Sequence, residues 1–355
     1  MKKEFNNVLS IGINARFNGR GCVNYDNKEQ GWILHNLGLY MSKVNDNALW
    51  AKKVFKPIDN PDDGNPKAEF KYKVSSECIR HELFKDKMPA FNSNVMQLPQ
   101  VLYSAIADPC LITRGYMYAY PDKTLKKKSA ITLSDAIETG NNWRRSVSVD
   151  LHTRSGDRDE TSLYSIENVG ECTYESMGFI DLAELQFISA DITYDRQAVD
   201  VDGGADESIY LNALKNNLPE TNPEFGYYYL DNGMLQDEWA ERGILLSKKD
   251  VSDMTLKLIE NLSKIEIKRR GSFLKCADIE LVIKTDNGEE ERIMYNPDDN
   301  LIFNYKQVYM PADADKIRRN MELIEQLNKK NEDLKNKKKQ DKKSKKETKD
   351  TDSVD

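Results

Sequence analysis

Residues 277–284 (ADIELVIK) and 290–295 (EERIMY) alternate between apolar and polar side chains, and Thr285-Asp286-Asn287-Gly288 stands between them. A period of two marks a strand with one face buried. An Asn-Gly pair between two such runs marks a tight hairpin, because both residues tolerate the positive φ that hairpin turns require. This segment commits the chain to an antiparallel sheet. Any plausible fold must supply that sheet with more strands and with something to cover its apolar face.

Candidates for both follow from the same patterns. Residues 8–17 (VLSIGINARF) alternate like a half-buried strand, and residues 109–120 (PCLITRGYMYAY), 145–152, 161–166 and 177–187 read as further strands. Helices are expected near 96–106, 207–216, 252–262 and 312–334, the last with Ile317, Met321, Ile324 and Leu327 on one side. A further helix begins at Ser75 or Ser76, either of which is a ready N-cap, and carries Cys78, Ile79, Leu83 and Phe84 as its apolar stripe. Arg80 lies off that stripe. Three stretches read as irregular: a glycine-punctuated loop at 18–26, an excursion rich in Asn, Asp, Pro and Lys at 46–71, and a basic loop at 123–128. Interleaved strands and helices with long insertions give an α+β fold built on an antiparallel sheet. The expected division is a body over 1–310, a C-terminal helix over 311–334 and a disordered tail over 335–355.

Charge separates the tail from the rest. The 355 residues carry a net charge of −7, yet residues 329–355 hold 11 Lys against 7 acidic residues, leaving −11 on the body. The tail has no aromatic residue and one Leu and one Val, too little apolar surface to order it. It reads as a solvated tail able to make loose cationic contacts with nucleic acid. An acidic body argues against indiscriminate affinity for polyanions, while leaving the local potential of a groove open.

Several function classes drop out. No run reaches the ~18 uncharged apolar residues of a membrane span, and the N-terminus has no apolar signal core, so a cytoplasmic protein is expected. Five scattered Cys without a CxxC pair, and three scattered His, offer no zinc pattern. The acidic stretch 200–206 has Leu211 where a calcium loop needs its twelfth-position Glu. No Walker, GxSxG, HExxH or SxxK motif occurs, so no cofactor, metal or catalytic residue is expected.

The order of the pieces carries a resemblance. The strand at 11–17, the glycine- and Asn-containing loop at 18–26, and the segment Lys73-Val74-Ser75-Ser76-Glu77-Cys78-Ile79-Arg80 that opens a helix resemble the backbone subunit of class 1 CRISPR effector complexes. Residues 111–117 (LITRGYM) and 177–182 (MGFIDL) resemble later strands of the same family, the RAMP superfamily of guide-RNA-binding proteins. That resemblance implies an RRM-like, ferredoxin-like antiparallel sheet with large insertions as fingers and thumb. It implies a non-enzymatic subunit that binds guide RNA, stacks with copies of itself in a helical filament, joins other effector subunits, and meets target nucleic acid through base pairing with the guide. Carried onto this sequence, the RNA-binding residues are Arg16, Arg20, Lys73, Ser75, Ser76 and Arg80. A helix N-terminus suits the role, since it offers unpaired N–H groups to an anion. The 144–158 region is the candidate thumb. Asp26 occupies the loop where some relatives carry a cleaving aspartate, which keeps a metal-dependent ribonuclease as one rival reading. The other is an oligomeric structural protein of a phage or mobile element.

Overall fold

A computed structural model describes residues 2–20, 23–24, 50–55, 68–85, 99–119, 124–139, 165–166, 171–192, 197–201, 204–231, 240–269, 272–330 and 333. The expected strand at 145–152, the candidate thumb and Asp26 lie outside these residues, as do 161–164. The chain divides into two compact units, one from residues 1–90, 130–182 and 251–306, the other from 91–129, 183–250 and 307–355.

The first unit is built on a ten-stranded sheet. Its strands are β1 (Lys2–Arg20), β2 (Trp50–Phe55), β3 (Ala68–Val74), β4 (Ile131–Leu133), β5 (Ala136–Glu138), β6 (Glu171–Asp181), β7 (Glu266–Arg269), β8 (Ser272–Thr285), β9 (Glu290–Met294) and β10 (Asn300–Tyr305). They run in the order β7-β8-β1-β6-β5-β3-β2, with β9 beside β8, β4 beside β6 and β10 beside β1. Every pairing is antiparallel except β1 with β10. The alternation seen at 8–17 is the middle of β1, where Ile11, Ile13, Ala15 and Phe17 are buried and the residues between them are not. The expected hairpin is present: Thr285 and Glu289 close a loop of Asp286, Asn287 and Gly288 between β8 and β9.

Two helices belong to this unit's core. In α1 (Ser76–Phe84) the buried residues are Ile79, Leu83 and Phe84, as the stripe predicts. In α2 (Lys248–Ser263), longer than the expected 252–262, Val251, Met254, Leu258, Ile259 and Leu262 recur at helical spacing and are buried. Burying five such side chains contributes about 1.5–3 kcal/mol each, which is what fixes the helix on the sheet rather than propensity alone. The Ser252 hydroxyl adds a specific tie by accepting from the Phe303 amide at 2.9 Å.

The second unit holds a four-stranded antiparallel sheet in the order Phe187–Ser189, Glu241–Leu245, Gly226–Leu230, Tyr309–Pro311. Helices Pro99–Ile106 and Gly204–Asn217 pack together, with Tyr103 and Tyr210 edge-to-face at 6.1 Å. The C-terminal helix, residues 314–330, is pinned by Asn320, which is buried and donates to Asp191 at 2.8 Å and to the Ala240 carbonyl at 2.7 Å. No helix among the described residues is long and apolar enough to cross a membrane.

Five local expectations need correction. Residues 109–114 form a helix, not a strand: Asp108 caps it, Pro109 fills its first turn, and Gly115 ends it at φ 75°, a conformation open to glycine. The strand Tyr116–Ala119 follows. The basic loop at 123–128 is instead the strand Thr124–Lys127, with Lys127 buried and donating to the Glu184 carbonyl. The excursion 46–71 contains β2 and most of β3. The strand expected over 177–187 stops at Asp181, and a helical turn, Leu182–Gln186, intervenes before Phe187. Finally, Asn18, Gly19 and Arg20 continue β1 and are not a loop; a Cβ on Gly19 would lie 2.7 Å from the Phe273 carbonyl oxygen, so the glycine serves close strand packing.

Candidate nucleic-acid interface

Register lines up residues from distant parts of the chain. Arg16 on β1 stands opposite Glu175 on β6, Glu175 opposite Ile137 on β5, Ile137 opposite Lys73 on β3, and Lys73 opposite Trp50 on β2. Directly opposite residues in an antiparallel pair share a face. Arg16 and Lys73, 57 positions apart in sequence, therefore fall in one row across the sheet, three strand spacings or about 14 Å apart. Arg20 occupies the same face of β1, four residues further along, opposite Glu171.

Lys73 leads straight into α1. Ser75 is the N-cap, and its hydroxyl accepts from the Cys78 amide at 3.2 Å. The Ser76 amide is also taken, by the Asp135 carboxylate at 3.0 Å. A carboxylate at the positive end of a helix is what the dipole favours. The anion position expected for phosphate at this cap is thus held by an acidic side chain from 59 residues downstream, and a phosphate there would have to displace it or bind beside it. Arg80, one turn into the helix, is half-buried.

The two ends of the sheet differ in charge. At one end β2 and β3 carry Lys52, Lys53, Lys71 and Lys73 against one acid, Glu69, interleaved with Trp50, Phe70 and Tyr72. Lys52 is directly opposite Lys71. This basic, aromatic edge strand is what the sequence reading passed over. The signal was Lys71 and Lys73 alternating with Phe70 and Tyr72.

The other end is acidic. Around Arg16 a hollow of about 400 Å³ opens on the sheet, with Asn14, Glu175, Met177, Asp278, Glu280 and Met294 in its lining. Arg16 pairs with Asp278 at 2.7 Å, and that partner raises its pKa further above the usual value. Glu280 accepts from Asn14 at 2.7 Å and from Arg292 at 3.3 Å. Arg16 is therefore set among carboxylates, which is not the surrounding expected of a phosphate contact. Nearby, burial and Asp278 push the Cys276 thiol up to about 12, so it is unreactive at neutral pH. No group of His, Cys, Asp and Glu among the described residues is arranged to hold a metal.

Comparison with known proteins gives three findings. The sequence model of a family described as "Type I-Fv CRISPR-associated protein Cas7fv-like" matches residues 33–307. That span includes Lys73, Ser75, Ser76 and Arg80 and excludes Arg16 and Arg20. No curated protein matches the chain. Among solved structures, a CRISPR RNA-guided surveillance complex aligns at 10% identity and TM-score 0.31, covering 91% of this chain and 84% of that one. Csc2 of Thermofilum pendens aligns at 6% identity and TM-score 0.26, covering 76% and 67%.

Proposed function

The chain belongs to the type I-Fv CRISPR-associated, Cas7fv-like family, and from that premise we infer that it is the guide-RNA-binding backbone subunit of a CRISPR interference complex. The observation that carries this is the extent of the family match, residues 33–307, which takes in α1, α2 and nine of the ten strands of the first unit's sheet. The guide RNA and the other subunits of the complex are its partners.

Finer features are proposals. The palm is RRM-like: β8, β1, β6 and β5 lie side by side and antiparallel, α1 falls between β1 and β5 in the chain, and α2 falls between β6 and β8. RNA backbone runs along the β2–β3 end, meeting Lys73 and Arg80 first. Ser75 and Ser76 contribute through the helix start only where phosphate replaces Asp135. Arg20 extends the row on β1, and Arg16 is the weakest member because Asp278 already holds it. Copies stack head to tail along the guide, since a repeating subunit needs a heterologous interface. Target is read by pairing with the guide, and the subunit performs no reaction of its own.

The test is purification of the full chain from cells that also carry a repeat array. RNA sequencing of the bound fraction is expected to return guide-length transcripts, and nuclease treatment is expected to break large particles into small ones. A closed dimer that carries no RNA and ignores the nuclease would overturn the reading.

A further inference from the structure

Three exposed apolar side chains stand together on the open face of the first unit's sheet. Met177 is 65% exposed, Met294 51% and Phe179 45%. The register explains why they form one patch. Met177, Asn14, Glu280 and Met294 make one row across β6, β1, β8 and β9, and Phe179, Gly12, Val282 and Arg292 make the next. Gly12 has no side chain to fill the floor between them. The surround is net acidic: Glu175, Asp181, Asp278, Glu280 and Glu290 share this face with Arg16, Lys284 and Arg292, five carboxylates against three cations. An apolar patch whose surround carries a net negative charge disfavours a phosphate backbone. It suits long cationic side chains, whose methylenes lie on Met and Phe while the ammonium groups meet the rim.

One segment of this chain has that chemistry. Residues 335–346 hold eight Lys and a single Asp, a net charge of +7. They follow the helix 314–330, and the sixteen residues 331–346 reach up to about 55 Å when extended. We propose that the lysine-rich segment 335–346 of one copy docks on the Met177–Phe179–Met294 face of the next copy. Such a contact is heterologous, so it can repeat from copy to copy, and its reach does not require the folded bodies to touch. It rests on the reading of the protein as a stacking subunit, and assigns that stacking a salt-sensitive electrostatic arm.

The patch contains its own reporters, because an exposed thioether oxidises to the sulfoxide and a covered one is spared. The nuclease-treated full chain is exposed briefly to hydrogen peroxide at nanomolar and at tens of micromolar concentration, and each Met is quantified by mass spectrometry. At low salt, oxidation of Met177 and Met294 is expected to slow about fivefold at the higher concentration, as mass action fills the site. Met117, 73% exposed on the second unit, serves as the control and is expected not to change. Protection is expected to vanish in ~0.5 M salt. It is also expected to vanish in a full chain whose eight lysines of 335–346 are replaced by Gln, and to return when the synthetic peptide 335–346 is added to that variant. Protection already complete at nanomolar chain, protection that survives the Lys→Gln change, or no protection at any concentration would each overturn the proposal. So would protection of the Lys→Gln variant by a single-stranded RNA oligonucleotide, which would make the face an RNA site. RNA affinity measured separately by anisotropy keeps the two ideas apart: absent RNA binding with intact protection defeats the function and leaves the docking.

Discussion

The two ends of the first unit's sheet are made by the same kind of pairing yet offer opposite chemistry. At the β2–β3 end, four lysines and one glutamate alternate with aromatic residues. At the β8–β9 end, carboxylates outnumber cations and the arginines present are already paired. The difference shows why a net charge of −7 says little about whether a chain binds a polyanion. What decides is which strand positions the charges occupy, because exposed charges more than about 10 Å apart are screened from one another.

Reversing the basic end should produce the largest effect. The combined change Lys52→Glu, Lys71→Glu and Lys73→Glu is expected to lower RNA affinity on the order of 100-fold and to flatten its salt dependence by two or more phosphate contacts. Anisotropy titrations at several salt concentrations measure both. The matching reversal at the acidic end, Glu290→Lys with Glu291→Lys, should change affinity by no more than about twofold. Equal responses would dissolve the contrast.

A smaller effect sharpens where the basic end stops. Replacing Asp135 by Asn removes the negative charge from the start of α1 while leaving an acceptor for the Ser76 amide. RNA affinity is expected to rise about two- to threefold as phosphate gains access to the helix end, with stability lower by about 0.3–1 kcal/mol. If affinity is unchanged while the melting temperature falls, the helix start is structural only.

The smallest effect separates charge that only stabilises from charge that binds. Glu260 on α2 has its pKa lowered to about 2 by hydrogen bonds from Lys257 and Lys264. Its folded value lies below the usual unfolded value near 4.3, so its contribution is present above that pH and disappears as pH falls through about 2. Glu260→Gln should therefore lower the melting temperature by roughly 1–2 °C at pH 7 and not at all near pH 2. RNA affinity at pH 7 should stay the same.

How much of this could be read from the sequence depended on whether the deciding contact was local. The β8–β9 hairpin, the middle of β1 and the apolar stripe of α1 were legible because their signals are periodic and self-contained. The helix 109–114 was missed because Cys110-Leu111-Ile112-Thr113 is strand-like in composition, although Asp108, Pro109 and Gly115 together spell a helix start and stop. Lys127 was placed in a loop because Lys126-Lys127-Lys128 reads as a basic run; Glu184, 57 residues away, helps make it acceptable inside. For the site, sequence located the helix start but not Asp135, and named Arg16 without seeing Asp278 262 residues later. Register converts scattered residues into rows, and register belongs to pairs of strands.

The place of β1 in the sheet also has a consequence for the order of synthesis. It is synthesised before both of the strands it lies between, β6 and β8, whose residues begin at 171 and 272. At about 5–20 residues per second, β1 waits roughly 10–50 s for its second neighbour. Throughout that time a long alternating strand has at least one edge open to any other chain nearby. Until β8 is made, that open edge leaves β1 able to take up a strand of another chain in its place.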